Sequence, residues 1–229
     1  MYKVIDTYFG GKNGSGTFQQ IINQIRPHNR YIEPFLGGGA VMLRKKPAQV
    51  NIGNDLDFRV YTNWKDAGFN WLTLYNTDAI RILKELAFNS YSPTCVYLDP
   101  PYPLSSRKSP RLVYQHEMTD QQHIELLEVA KALTCDVLIS TYPNAIYSEM
   151  LKDWRCISFP SATRQGMATE LLYMNYENKE GILHDYSWLG KDFTDRQRIK
   201  RKIEREIKKL EALPAPERNA ILEAIFKNR

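Results

Sequence analysis

At 229 residues, with 43% hydrophobic and 12% aromatic side chains, the chain can bury one substantial core and carry an appendage. That excludes a chain disordered throughout. The formal charge of +5 is unevenly placed: RQRIKRKIEREIKK at 196–209 holds far more base than acid, which suits a polyanionic partner or a solvated helix face. Cys95, Cys135 and Cys156 stand singly, without C-x-x-C spacing, so they read as reduced, mostly buried thiols and imply no metal. No segment approaches the roughly 18 apolar residues of a membrane span, and MYKVIDTYFGGK lacks a signal peptide's apolar stretch. The expectation is a cytoplasmic protein that makes no membrane contact.

Taken in chain order, TFQQIINQI at 17–25 predicts a helix, RYIEPF at 30–35 a strand, and QVNIGND at 49–55 a second strand. DAIRILKEL at 78–86 predicts a helix and TCVYLD at 94–99 a buried strand. TDQQHIELLEVAKAL at 119–133 follows as a helix opened by Thr119 and Asp120, then DVLIST at 136–141 as a strand. Alternation of this kind predicts an α/β fold with a mostly parallel sheet covered on both faces. CISFP at 156–160 and ELLYMNY at 170–176 are separated by too little chain for a helical crossover, so they should pair antiparallel. From 177 the chain reads as a linker. From Thr194, Ile199, Ile203, Ile207 and Leu210 mark an amphipathic helix whose stripe should pack on its own domain or on a second helix carrying Ile221, Leu222, Ile225 and Phe226. The organisation expected is a domain over 1–180 and, over 181–229, a linker with a basic helical hairpin.

Three stretches carry chemistry. EPFLGGGAVM, Glu33 to Met42, places glycines after the first strand, where backbone can approach a nucleotide-like ligand closely or simply turn tightly. Asp55, closing the second strand, lies at the distance at which a carboxylate clasps ribose hydroxyls, although a turn residue reads the same way. YFGGK, Tyr8 to Lys12, sets another glycine pair beside a cation. The third stretch is YLDPPY. Its prolines cannot continue a ladder, so the strand ends at Asp99, at the carboxyl edge where open α/β sheets bind ligands. The Asp99 carboxylate and the Pro100 carbonyl are both acceptors, and with the Tyr102 ring they suit a planar aromatic amine.

YFGGK, EPFLGGGAV, NDLD and YLDPPY, in this order, resemble the DNA adenine-N6 methyltransferases of the class that methylates GATC, over residues 8 to about 176. The resemblance implies a Rossmann-like class I methyltransferase fold, with a seven-stranded sheet whose last strand is antiparallel. It implies S-adenosylmethionine bound by Tyr8, Gly10, Gly11, Lys12, Glu33, Pro34, Phe35, Gly37, Gly39, Asp55 and Asp78, the last also readable as an N-cap. Asp99, Pro100, Pro101 and Tyr102 become the catalytic turn, holding a flipped adenine of double-stranded DNA, and a restriction nuclease becomes a possible partner. The chain departs from that class between Asp57 and Asp78, where the stretch is too small for an inserted recognition domain. Recognition then falls to Arg107, Lys108, Arg111 and Tyr114 beside the catalytic turn, and to Arg196, Arg198, Lys200, Arg201, Lys202 and Arg205 in the C-terminal helix, while His116 and Glu117 read as a surface pair. The alternatives are a methyltransferase acting on a base amine of RNA and a non-catalytic nucleic-acid-binding relative. Asp99 argues against cytosine-N4 and protein glutamine methylation, which resemble this turn with Ser and Asn there.

Overall fold

The computed structural model describes residues 11–14, 16–86, 93–107, 114–163 and 166–227. Tyr8, Gly10, Lys108 and Arg111 lie outside the described residues. Two compact units are present, one reaching to Tyr186 and one starting at Ser187.

In the first unit, α1 (Thr17–Ile22) precedes β1 (Arg30–Glu33), α2 (Ala40–Arg44), β2 (Val50–Asn54), α3 (Phe58–Ala67) and β3 (Leu72–Tyr75). There follow α4 (Ala79–Leu86), β4 (Thr94–Leu98), α5 (Asp120–Ala132), β5 (Asp136–Thr141), α6 (Ala145–Met150), β6 (Arg155–Thr163) and β7 (Gly166–Met174). They form one seven-stranded sheet in the order β3-β2-β1-β4-β5-β7-β6. Strands β1 to β5 pair in parallel, and β7 runs antiparallel between β5 and β6. This is the strand order of the Rossmann-like class I methyltransferase fold.

Strand β4 is buried at every position, as a central parallel strand covered on both faces must be. Ile32 stands level with Ile52 and Val96, and Leu98 with Ile139, so β1, β2 and β4 end at one edge of the sheet. The chain order reverses between β1 and β4, the crevice in which open sheets take ligands. Leu126, Leu127 and Ala130 of α5 pack on this sheet, and the helix opens in a capping box between Thr119 and Gln122.

Between Asp57 and Asp78 the chain is occupied by α3 and β3. The Asp57 side chain caps α3 and left-handed Gly68 closes it. The strands of the hairpin run further than expected, taking in most of SATRQGMAT. Of the cysteines, all free, only Cys95 is buried and Cys156 is exposed. The expected linker differs as well: His184 stacks on His28, and Asp185 accepts a hydrogen bond from the Lys46 N–H at 2.8 Å, so residues 181–186 belong to the first unit.

In the second unit α7 (Phe193–Glu211) and α8 (Ala215–Lys227) form the expected pair of helices. The isoleucine stripe is less covered than expected, with Ile203 and Ile207 about half exposed. Among the described residues no helix is long and apolar enough to cross a membrane.

Candidate active site

The turn after β1 is built around two glycines in the left-handed region, Gly37 (φ 46°) and Gly39 (φ 57°). A Cβ at Gly39 would lie 2.2 Å from the fully buried Trp64 ring. The Trp64 indole N–H donates to the Gly37 carbonyl at 2.9 Å, tying the turn to α3. The Gly37 N–H donates in turn to Asp55 Oδ2 at 2.8 Å, and the Asp57 N–H donates to Asp55 Oδ1 at 2.9 Å. Burial raises the Asp55 pKa, against which these two N–H groups stabilise its charge. A carboxylate held this way still has lone pairs to offer a ligand.

Glu33, Pro34, Phe35, Gly37, Gly39, Asp55, Asp78 and Asp99 line one pocket together with Gly11 and Lys12. Asp78 is also the cap of α4, accepting from the Arg81 N–H at 3.0 Å, so both of its expected readings hold a geometric basis. Glu33 is buried, and burial raises its pKa to about 8 even though the Tyr31 hydroxyl donates to it. Six of the pocket's lining residues are acids and Lys12 is the one Lys or Arg among its described lining.

In this pocket, Asp99 leaves β4 with Oδ1 engaged twice: Lys12 Nζ lies 2.8 Å away and the Ser140 hydroxyl donates to it at 2.9 Å. The Tyr97 hydroxyl backs Ser140 at 2.9 Å. Oδ2 makes no hydrogen bond to a described residue. Lys12, expected at the cofactor, is thus paired with Asp99. Its ammonium also lies 3.3 Å from Glu170 Oε1 and 4.8 Å from the Tyr102 ring centroid. Burial alone would drive Lys12 toward neutrality, but Asp99 and Glu170 outweigh it and raise its pKa above the ordinary value. For Asp99, burial raises the pKa while Lys12 opposes, which preserves the ionised form better than burial alone would allow. Pro100 is buried and Pro101 lines the pocket. Tyr102, expected to present its ring, is only 5% exposed; it packs edge-on against Tyr142 and donates its hydroxyl to Glu170 at 2.8 Å.

Arg107 does not face outward as a phosphate contact would. Its side chain is 8% exposed and forms a bidentate pair with Glu117, and Nε donates to the Tyr102 carbonyl at 2.8 Å. Its other contact is with the Tyr114 ring, 5.1 Å from the guanidinium. Glu117 is consequently a half-buried partner, not half of a surface pair, and it also receives the Tyr114 N–H at 3.0 Å. Residues 114–118 line the same pocket as Gly37 and Asp55. In the second unit, Arg198 pairs with Asp195 and Lys200 lies 4.0 Å from Glu204, while Lys200, Arg201, Lys202 and Arg205 are exposed along α7 and Arg196 is half-buried.

A family model described as D12 class N6 adenine-specific DNA methyltransferase matches residues 8–93, the segment holding YFGGK, the glycine turn and Asp55. No curated protein matches the chain. Among solved structures the chain is similar to TrmN from Thermus thermophilus, at 17% identity over 69% of this chain and 46% of that one, with a TM-score of 0.46. It is also similar to the O-methyltransferase TomG from Streptomyces achromogenes, solved with S-adenosylmethionine, at 15% identity over 69% and 77%, with a TM-score of 0.45. A third is the SAM-dependent methyltransferase from Agrobacterium tumefaciens, at 15% identity over 69% and 58%, again with a TM-score of 0.45. The strand order and the pocket at the β1–β4 crevice define a class I methyltransferase fold. Within that class, the family match supports methyl transfer with S-adenosylmethionine, the cofactor D12 methyltransferases use.

Proposed function

We propose that the protein methylates the exocyclic N6 amine of adenine in DNA, the base being turned out of the duplex to reach the pocket. One observation carries this reading: Asp99, on the Pro-Pro turn beside the pocket, has one carboxylate oxygen clamped by Lys12 and Ser140 and the other without a hydrogen bond to any described residue. When bound, S-adenosylmethionine supplies an electrophilic methyl group on a positively charged sulfur. Gly37, Gly39, Asp55 and Asp78 would hold its nucleoside part, and Glu33 its charged amino acid part.

Asp99 Oδ2 accepts one N–H of the target amine, which draws charge onto a nitrogen whose lone pair is otherwise delocalised into the ring. Lys12 and Ser140 hold Asp99 Oδ1 before substrate arrives, and Ser140 keeps its hold when the base engages, so the acceptor is preorganised. No strong base is required ahead of attack. Once the new N–C bond has formed, Asp99 is placed to take the proton that the nitrogen sheds. The exposed cations of α7, Arg201, Lys202 and Arg205 among them, serve as phosphate contacts in this reading.

The test is incubation with methyl-labelled S-adenosylmethionine and either unmethylated duplex DNA or RNA, followed by digestion and identification of the labelled nucleoside. N6-methyladenine from DNA is expected. Label appearing in RNA alone would contradict the substrate assignment.

A further inference from the structure

Glu170 is the acid that neither the motifs nor the mechanism above uses. It sits on β7, 1% exposed, and its Oε1 receives the Tyr102 hydroxyl at 2.8 Å and faces Lys12 Nζ at 3.3 Å. Lys12 in turn contacts Asp99, whose other oxygen takes the target amine, at Oδ1 at 2.8 Å, and the Tyr102 ring, 4.8 Å from its centroid. An ammonium in that position competes with an incoming base for the ring face. It can withdraw at low cost only toward another anion, because an unpaired buried cation is strongly disfavoured. Glu170 is that anion.

We propose that Glu170 is a positioning residue of the transfer step: it retains the Lys12 ammonium when the target base engages Asp99 and Tyr102, and it fixes the Tyr102 ring through its hydroxyl. The inference rests on the amine-methylation reading above and adds to it a residue that touches neither substrate nor cofactor. The titratable groups around Glu170 and Asp99 are Lys12, Glu33, Tyr97, Tyr102, Tyr114, Tyr142 and Tyr147. The negative charge of Glu170 raises the Asp99 pKa, so its removal lowers that pKa.

The experiment compares wild type with Glu170→Gln in single-turnover methylation of duplex DNA across pH, with S-adenosylmethionine affinity measured by calorimetry. Wild-type formation of N6-methyladenine is the control for the underlying reading, and its failure would remove that reading whatever the variant does. With the control in place, Glu170→Gln should lose about tenfold or more in rate at saturating DNA. Cofactor affinity should stay within about threefold, and the acid limb of the rate profile should move to lower pH. A rate within about twofold of wild type, or a loss uniform across pH with the limb unmoved, overturns the proposal. Should Glu170→Gln fail to bind cofactor, Tyr102→Phe removes only the hydroxyl that reaches Glu170. That variant should lose several-fold in rate with cofactor binding intact, and a wild-type rate overturns the proposal equally.

Discussion

Gly39→Ala is the sharpest probe of the glycine turn. The new methyl group would lie 2.2 and 2.5 Å from two Trp64 ring carbons, and Trp64 is fully buried, so the ring has no free direction in which to yield. Three costs add. A non-glycine residue at φ 57° costs about 1 to 2 kcal/mol. Forcing an extra methyl into a packed site costs about 1 to 3 kcal/mol. Moving Trp64 strands its indole N–H and the Gly37 carbonyl, 2.9 Å apart in the structure, for about 1 to 3 kcal/mol more. A loss of about 3 to 8 kcal/mol in urea unfolding is expected, together with at least about tenfold weaker S-adenosylmethionine binding by calorimetry. Adding Trp64→Leu removes the collision, so cofactor affinity should recover relative to Gly39→Ala alone. Unchanged unfolding and unchanged cofactor affinity in Gly39→Ala would refute the packing argument.

Glu33 makes stability depend on pH. Its folded pKa of about 8 lies above the unfolded value of 4.5, so the native state holds the extra proton between them and stability falls as pH rises through that window. Relative to Glu33→Gln, wild type should lose a few kcal/mol between pH 5 and pH 8 in urea titrations, and parallel curves would contradict the burial of an ionisable Glu33. Arg107→Ala leaves the half-buried Glu117 carboxylate without its guanidinium and should destabilise by about 2 to 4 kcal/mol. The same variant should leave the salt dependence of DNA binding unchanged in anisotropy measurements; a slope reduced by about one would return Arg107 to the phosphate contacts.

The parts legible in the sequence are those set by local rules. The prolines after Asp99 had to end β4, the apolar run before them had to be central, and the short gap before β7 allowed only an antiparallel pairing. The stretch from Asp57 to Asp78 hid a helix and a strand, although Asp57 as cap, Val60 and Trp64 one turn apart, and Gly68 as terminator were visible signals. Strand β3 is four residues long at the sheet edge with only Leu72 buried, so its pattern was too short to read. Side chains whose meaning depends on distant partners stayed illegible. Arg107 in a basic loop looks like a phosphate contact until Glu117 folds back onto it, and Glu170 looks like an ordinary strand polar residue until Lys12 and Tyr102 arrive.

In the proposed mechanism Asp99 is the acceptor that readies the amine. Wild type and Asp99→Ala, both shown by calorimetry to bind S-adenosylmethionine, would be compared in single-turnover methylation of unmethylated duplex DNA. N6-methyladenine should form with wild type and about a hundredfold or more slowly with Asp99→Ala. An Asp99→Ala protein that binds cofactor and methylates DNA at close to the wild-type rate would contradict the assignment.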